Sequence, residues 1–262
     1  MFSFTESRGS VEVAFTDRHG GAFAGALDLA EPSAEAPDPS RLAELEENID
    51  ILGHALARGG EATGANPFDL PPDVRTPVVV RMRQVHGADV HTVDRSWLES
   101  RHEQPALADG LATDLPGVAL LVRVADCVPV LLADVEHGVV GAAHAGRPGL
   151  VAGIVPATVG RMRSLGAERI VAWLGPHVCG RCYEVPAQMR DEVAAAVPES
   201  FAETSWGTPA VDVGAGVMAQ LEAEGVEVVD ASRCTVEDDE LYSYRRQGAD
   251  AGRLGGIVWV RP

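Results

Sequence analysis

Short apolar runs bounded by Gly, Pro and Asp residues recur along the chain. Continuous apolar runs of this length, flanked by turn residues, are typical of strands. We predict strands at residues 11–16, 77–82, 117–127, 128–134, 138–144, 168–176, 226–230, 240–246 and 255–260. The residues Glu136-His137-Gly138 suit a hairpin turn between two of these strands.

Other segments repeat apolar residues at helical spacing and predict helices. The clearest covers residues 41–57, with Ser40 as its N-cap and an end near Gly59-Gly60. Three more are predicted: 149–166 with a kink or restart at Pro156, 186–197 with Pro186 in its first turn, and 211–225 with Asp212 as cap. Because strands and helices mix without a strict βαβ repeat, we expect an α+β fold of mixed β-sheets flanked by helices.

Composition then excludes several classes of partner. The formal charge is -18 over 262 residues and the pI is 4.7, so nucleic acid and anionic membranes would repel the protein. Residues 1–15 contain no basic region followed by an apolar core, and no apolar run approaches the ~18 residues of a membrane span. With four cysteines and no secretion signal, we expect reduced thiols or metal ligands in a cytoplasmic protein.

Potential metal ligands follow three of the apolar runs, namely His86, Cys127 and His144. Side chains at strand ends converge easily on one point, and one Cys with two His suits zinc with an open fourth position. The metal site is therefore expected at the strand ends. The same residues are consistent with a Cys127–His144 nucleophilic pair that does not need His86. They are also consistent with ordinary buried side chains that have no catalytic role.

Two further groups of residues have weaker chemical signals. Cys179 and Cys182 form a C-x-x-C motif, but the thioredoxin-like βαβ setting is absent, so we interpret it as a loop with structural thiols. Cys234 is assigned no role. Arginines beside glycine-rich or site-proximal segments are candidates for holding a phosphate, with surface ion pairs as the alternative: Arg18, Arg123, Arg147, Arg245 and Arg246.

Six longer motifs are distinctive. They are TDRHGG at 16–21, QVHG at 84–87, ADGLATDLPGVALLVRVADCVPVLLAD at 108–134, GVVGAAHAG at 138–146, LGPHVCGRCYEV at 174–185 and LYSYRRQGADAGRLGG at 241–256. Together they resemble the laccase-domain or "polyphenol oxidase" family, whose members were reassigned as purine nucleoside phosphorylases. The resemblance covers nearly the whole chain and implies a single α+β domain of this type over residues 1–262.

The resemblance also implies chemistry. It implies zinc on His86, Cys127 and His144, and phosphorolysis of adenosine, inosine, guanosine or S-methyl-5'-thioadenosine to base and ribose 1-phosphate. Zinc-dependent deamination of adenosine would be a second activity, since zinc lowers the pKa of bound water to ~7. Purine nucleosides and phosphate are then the expected partners, and we expect a monomer or a weak homo-oligomer.

Individual roles are expectations at this point. We assign catalytic roles to Cys127, His144 and Asp126, and substrate contacts to Arg18, Gln84, Arg147, Tyr183 and Arg245. The chain departs from the family pattern at three places: Arg147-Pro148 replaces Trp-Arg after HAG, Arg181-Cys182-Tyr183 replaces Cys-Cys-Tyr, and Arg123-Val124 replaces the usual Thr before ADC. The first departure affects the assignment of Arg147 to phosphate and leaves the three metal ligands unchanged.

Three alternatives stay open. The first is a copper-dependent polyphenol oxidase. Resemblance to the multicopper oxidases would imply about ten histidines, largely in His-x-His pairs, whereas this chain has eight histidines and no such pair. Copper on the same three residues would then reflect metal loading, because Cu²⁺ binds most N/S sites more tightly than Zn²⁺. A cysteine hydrolase using Cys127 and His144 is the second alternative, and a non-enzymatic metal-binding or interaction protein is the third.

Overall fold

A computed structural model describes residues 1–19, 28–29, 39–57, 76–100 and 105–262. The strands within these ranges are β1 (Phe2–Arg8), β2 (Val11–Thr16), β3 (Val78–Arg83), β4 (Val90–Thr92), β5 (Ala106–Leu107), β6 (Gly110–Thr113), β7 (Val118–Val124), β8 (Val128–Asp134), β9 (Val139–Ala145), β10 (Val171–Leu174), β11 (Phe201–Glu203), β12 (Pro209–Val211), β13 (Glu227–Asp230) and β14 (Leu254–Val260). The helices are α1 (Pro39–Ala57), α2 (Arg95–Glu99), α3 (Arg147–Ala152), α4 (Ile154–Ser164), α5 (Ala187–Ala196), α6 (Val213–Ala223) and α7 (Tyr244–Gln247). Short 3₁₀ turns cover Pro198–Ser200 and Gly248–Asp250.

The strands form two six-stranded mixed sheets and a small two-stranded sheet of β11 and β12. Sheet I has the order β1-β2-β14-β7-β3-β5, and sheet II has the order β13-β10-β8-β9-β6-β4. This arrangement confirms the predicted α+β fold of mixed sheets flanked by helices. In the described ranges, no helix is long and apolar enough to cross a membrane.

The two large sheets pack face to face and are covered by helices on their outer faces. Side chains from β2, β7 and β14 of sheet I meet side chains from β8, β9 and β10 of sheet II in one buried cluster, which includes Phe15, Leu120, Leu131 and Trp173. Helices α3 to α6 cover the other face of sheet II, and α1 covers the other face of sheet I. With strands buried on both faces, β7, β8 and β9 read as continuous apolar runs.

Two predicted elements differ from the structure. The helix predicted over 149–166 is interrupted at Gly153, whose φ is +82°, and Pro156 sits in the first turn of α4, where its missing N–H is tolerated. The strand predicted over 240–246 is wrong, because α7 begins after Ser243, whose side chain accepts a hydrogen bond from the Arg246 N–H.

Ser40 is the second residue of α1 and not its N-cap. The end predicted for this helix near Gly59-Gly60 lies outside the described residues. Asp212 does cap α6, as predicted, by accepting a hydrogen bond from the Ala215 N–H.

Two connections pass from sheet I to sheet II at the same edge. Strands β3 and β7 are parallel neighbours in sheet I, so their C-terminal ends lie side by side. The chain continues from β3 towards β4 and from β7 towards β8, and β4 and β8 both belong to sheet II. This edge is therefore where side chains from both sheets are brought together.

Candidate metal centre and cavity

The crossing edge of the two sheets holds the three side chains predicted as ligands. His86 follows β3, Cys127 lies in the turn between β7 and β8, and His144 is the penultimate residue of β9. Strands β8 and β9 are antiparallel, with Pro129 opposite His144, which places Cys127 beside that histidine. The apolar run predicted to end at Cys127 ends as a strand at Val124, so the thiol is carried by a turn.

The geometry of these three side chains suits a small tetrahedral cation. One donor atom from each of His86, Cys127 and His144 lies within 4.8 Å of the others, and Cys127 Sγ is 3.8 Å from His86 Nε2. Donor atoms bound to one zinc ion at about 2.0–2.3 Å lie about 3.3–3.8 Å apart in a tetrahedron. The His86 and His144 rings meet edge to face, with centroids 4.7 Å apart. Small side-chain shifts would complete the arrangement.

A buried carboxylate, Asp109, organises two of the three side chains. Its Oδ1 lies 2.8 Å from His144 Nδ1, and its oxygens accept hydrogen bonds from the backbone N–H groups of Val85, His86 and Gly87. Because Nδ1 of His144 is engaged by Asp109, Nε2 is the nitrogen left to bind a metal. Asp109 was not predicted as part of the site, although its Asp-Gly pair between two apolar runs was a visible signal in the sequence.

Electrostatics couples the thiol to His144. Burial by itself raises the pKa of the Cys127 thiol, but hydrogen bonds with His144 and His86 outweigh it and lower that pKa to about 6. Burial lowers the pKa of His144, whereas its contacts with Asp109 and Cys127 raise it to about 9. These opposite shifts favour a thiolate beside an imidazolium when no metal is bound, and the thiolate is the form that binds metals.

The backbone at this edge is under strain at two non-glycine positions. His86 has φ +61° and Asp126 has φ +88°, values that cost an ordinary residue on the order of 1–3 kcal/mol. Gly146 is also constrained, since a Cβ there would stand 2.6 Å from His86 Cδ2 and 3.1 Å from Cys127 Sγ. Strain and close approach are concentrated at the cluster, as is common for functional sites.

Asp126 holds the wall of the site together. Its Oδ1 accepts a hydrogen bond from Thr235 Oγ1 at 2.6 Å, and its Oδ2 accepts one from the Arg245 N–H at 2.7 Å. Its own carbonyl accepts a hydrogen bond from the Val178 N–H at 3.0 Å. Both carboxylate oxygens are thus engaged by the protein, and the catalytic role predicted for Asp126 stays a prediction.

A cavity of about 570 Å³ opens on the cluster, a volume usual for sites that bind small molecules. It is lined by His86, Ala125, Asp126, Cys127, Gly146, Arg147, Val178, Tyr183, Val213, Tyr244 and Arg245. The lining combines apolar side chains with two arginines and two tyrosines. Arg245 stacks on Tyr183, with its guanidinium carbon 4.4 Å from the ring centroid.

The structure separates the five residues predicted as substrate contacts into two groups. Arg147, Tyr183 and Arg245 line the cavity, and Tyr244 is a lining residue that the sequence analysis did not single out. Gln84 is not among the lining residues, because its side-chain amide donates to the Arg123 carbonyl at 2.8 Å and accepts from the Arg123 N–H at 2.9 Å.

Arg18 also lies away from the lining. Its guanidinium donates to the Asp239 carbonyl and stacks over the Tyr242 ring. Arg123, another candidate for holding phosphate, is buried and donates to the Leu29 and Met82 carbonyls, which positions its charge within the protein interior.

Solved structures of other proteins share this fold. Two solved structures match the fold over nearly their whole length. A Neisseria meningitidis protein is 28% identical with a TM-score of 0.75, each chain being covered to 99%. YlmD from Geobacillus stearothermophilus is 27% identical with a TM-score of 0.74, and the match covers 100% of this chain and 99% of YlmD.

Curated relatives are more similar in sequence. A Streptomyces griseus protein named purine nucleoside phosphorylase is 50% identical over 258 residues, which is 96% of this chain and 95% of the relative. A Streptomyces coelicolor protein with the same name is 57% identical over 186 residues, 70% of this chain and 75% of the relative. Residues 12–261 match the family described as multi-copper polyphenol oxidoreductase laccase. The chain therefore belongs to this laccase-like family, as its motifs predicted.

Proposed function

We propose that this chain is a zinc-dependent purine nucleoside phosphorylase that works in the cavity above His86, Cys127 and His144. The main observation behind the proposal is that a cluster of potential metal ligands, two arginines and two tyrosines lie at one cavity. The names of the Streptomyces relatives support the reaction type. The proposed substrates are adenosine, inosine, guanosine and S-methyl-5'-thioadenosine, together with phosphate.

The arginines of the cavity are the proposed phosphate site. Arg147 and Arg245 both line it, in a protein whose net charge of -18 otherwise repels anions. Among the described residues, no carboxylate forms an ion pair with either guanidinium, and a guanidinium can donate two parallel hydrogen bonds to phosphate oxygens. Phosphorolysis needs this anion beside the sugar, so the two arginines supply the binding that hydrolysis would not require.

Tyrosines and aliphatic side chains are the proposed base site. Tyr183 and Tyr244 offer aromatic faces for a purine, and Val178 and Val213 add apolar surface. The stacking of Arg245 on Tyr183 fixes the tyrosine ring relative to the phosphate site. Asp126 acts in this proposal as a positioning residue, since it holds the backbone of Arg245.

His86, Cys127 and His144 are the proposed zinc ligands. Their donor atoms are close enough for one ion, and His86 and Cys127 line the cavity, so a metal held there would be accessible from it. Zinc bound there would act as a Lewis acid and would lower the pKa of a bound water, which is the chemistry proposed for adenosine deamination as a second activity. Copper would bind the same donors by affinity alone.

A cysteine hydrolase is the second candidate, because Asp109, His144 and Cys127 are arranged in the order acid, base and nucleophile. The two candidates differ at His86. A zinc enzyme needs this imidazole as a ligand, whereas a hydrolase using only Cys127 and His144 does not.

Product analysis tests the proposal directly. Purified protein is incubated with adenosine, inosine and S-methyl-5'-thioadenosine, each with and without phosphate, and the products are separated by chromatography. Free base and ribose 1-phosphate that form only with phosphate would support the phosphorylase, and inosine formed from adenosine would support the deaminase. Unchanged nucleosides with zinc bound to His86, Cys127 and His144 would contradict the proposal.

Variants make the same experiment specific. Arg147→Gln is expected to raise the KM for phosphate by about tenfold, the loss expected for a charge-assisted hydrogen bond. Arg161→Gln on the exposed face of α4 is the matched control and is expected to leave this KM unchanged. His86→Ala separates the two candidates. A zinc enzyme should lose its activity towards nucleosides in this variant, whereas a hydrolase that uses only Cys127 and His144 would not need this residue.

A further inference from the structure

A second cluster of potential metal ligands lies apart from the trio of proposed zinc ligands, His86, Cys127 and His144. Cys179, Cys182, Cys234 and Glu237 each place one donor atom within 4.8 Å of the others. The Cys182 thiol lies 3.5 Å from Glu237 Oε1, and all four cysteines of the chain, Cys127 included, are free thiols. This cluster shares no residue with the site formed by His86, Cys127 and His144.

Two tight turns supply the four donors in pairs. In the first turn, the Cys182 N–H donates to the Cys179 carbonyl at 3.0 Å. In the second, Cys234 is followed by a turn that carries Glu237, and the Asp238 N–H donates to the Cys234 carbonyl at 3.1 Å. Each pair is separated by two residues, which is a spacing found where two short turns enclose a structural zinc ion.

Backbone hydrogen bonds hold the two turns next to each other. His177 and Cys234 form a parallel bridge, in which the His177 N–H donates to the Arg233 carbonyl at 3.1 Å and the Thr235 N–H donates to the His177 carbonyl at 3.0 Å. The positions of the thiols are thus set by paired main chain and not only by flexible side chains. A rigid support of this kind is what a metal site needs.

The donor set is suited to zinc. Three thiolates and one carboxylate complete a tetrahedron, and soft sulfur ligands select Zn²⁺ over Mg²⁺ or Ca²⁺. Cys182 is buried, Cys179 and Cys234 are half-buried, and Glu237 is exposed at the rim. Arg181 lies 3.8 Å from Glu237 and offsets part of the negative charge of four anionic ligands. A disulfide between any two thiols would leave the third thiol and Glu237 without a shared role, whereas one cation uses all four.

We propose that Cys179, Cys182, Cys234 and Glu237 bind a structural zinc ion that joins two segments of the cavity wall. The first segment, residues 177–183, contributes Val178 and Tyr183 to the cavity lining. The second, residues 234–246, contributes Arg245 and the Thr235 hydroxyl that donates to Asp126. The ion would thus fix one wall of the cavity while standing apart from the substrate, and its presence does not depend on which reaction the cavity performs.

Metal counting tests the proposal. Protein purified under reducing conditions from zinc-supplemented cultures is desalted, and zinc per chain is measured by mass spectrometry of the element. The wild type is expected to hold about two zinc ions, Cys182→Ser about one, His86→Ala about one, and the double variant none. A wild type that holds a single ion, removed by His86→Ala and unaffected by Cys182→Ser, would overturn the proposal.

Milder variants and a second readout guard against misfolding. Glu237→Gln keeps the shape of the side chain, and Asp239→Asn, at a highly exposed neighbouring position, is its control. In cobalt-substituted protein, thiolate ligands give a charge-transfer absorption. About three quarters of this absorption is expected to disappear in Cys182→Ser if the site no longer assembles, and about one quarter in Cys127→Ser, because the four thiolates divide three to one. Equal loss in the two variants, or a Cys179–Cys182 disulfide found by thiol alkylation of the freshly reduced and metal-loaded wild type, would contradict the site.

Discussion

The two ends of the β8–β9 hairpin carry the same chemical motif with different consequences. At one end, buried Asp109 contacts His144 and accepts hydrogen bonds from three backbone N–H groups. At the other end, buried Asp134 contacts His137 at 2.9 Å and accepts hydrogen bonds from four backbone N–H groups, including those of residues 168 and 169. The seven residues of β8 separate these ends by roughly 20 Å.

What differs is the surroundings of each histidine. His144 is 3% exposed and lies against Cys127 and His86, which line the cavity, whereas His137 lies partly exposed in a hairpin turn. No cysteine or second histidine joins His137 in a ligand group among the described residues. In this protein a carboxylate–histidine pair by itself does not mark a candidate metal site, and the pair at His144 is distinguished by the further potential ligands and the cavity beside it.

The largest expected effect comes from exchanging the two histidines for alanine in turn. His144→Ala should abolish binding of the metal to the trio and reduce the proposed activity to background, because a ligand is lost. His137→Ala should leave both within about twofold of wild type, since only an exposed hairpin turn changes. Zinc content and product formation measure the contrast. Retained zinc and activity in His144→Ala would remove this histidine from the centre.

The next contrast exchanges the two carboxylates for amides. Asp109→Asn should weaken metal binding about 10- to 100-fold, because the amide NH₂ would favour the His144 tautomer with its proton on Nε2. Asp134→Asn should leave metal binding unchanged, because none of the three proposed ligands contacts Asp134. It should lower the free energy of unfolding by about 2–4 kcal/mol, because buried N–H groups lose a charged acceptor.

Competition with a chelator and urea unfolding separate these effects. Asp114→Asn, at an exposed position beyond β6, is the control for both measurements. The comparison fails if Asp134→Asn weakens metal binding as much as Asp109→Asn does.

A glycine pair tests how closely the cluster is packed. Gly146→Ala should displace the His86 ring, since the new Cβ would stand 2.6 Å from Cδ2, and should weaken metal binding about tenfold. Because His86 is exposed and its ring can move, stability should change little. Gly160→Ala on α4 meets no atom within 4 Å and should stabilise the protein by about 1 kcal/mol without touching the metal. Unchanged metal affinity in Gly146→Ala would show that the ring tolerates the contact.

The smallest expected effect concerns acid stability. Burial raises the pKa of Asp134, but backbone hydrogen bonds from Glu168, Arg169 and His137 outweigh it and hold the pKa well below its ordinary value. The folded pKa is thus below the unfolded value of about 3.9, so this stabilisation is complete above pH ~4 and is lost as the pH falls through the folded pKa. As the pH is lowered from 4 to 2, the midpoint of urea unfolding should fall less in Asp134→Asn than in the wild type. Equal dependence of the midpoint on pH in the two proteins would exclude this role of Asp134.

The strands of the hairpin and the three potential ligands could be predicted from the sequence, whereas the contact between Asp109 and His144 could not. The buried strands of the hairpin were visible because both of their faces are apolar, and the three ligands were visible because each follows or ends such a run. Pairing of Asp109 with His144 was not visible, because it depends on the antiparallel pairing of β6 with β9. Local sequence does not encode that pairing.

Two predicted elements failed for local reasons. Leu-Tyr-Ser-Tyr alternates like a strand, but Ser243 caps a single helical turn in which Arg245 is aimed at the cavity. The helix predicted over 149–166 was expected to kink or restart at Pro156, but it is interrupted at Gly153. A proline is tolerated in the first turn of a helix, whereas a glycine with positive φ ends a helix. Gln84, which looked like a substrate contact, instead continues the pairing of β3 with β7 through its side chain.

The most direct test of the central claim is an anomalous diffraction measurement at the zinc edge on crystals grown with zinc. We predict a peak about 2.0–2.3 Å from His86 Nε2, Cys127 Sγ and His144 Nε2, and none beside His137 and Asp134. Absence of density at the first position, or an equal peak at the second, would contradict the proposal that only one end of the hairpin binds a metal.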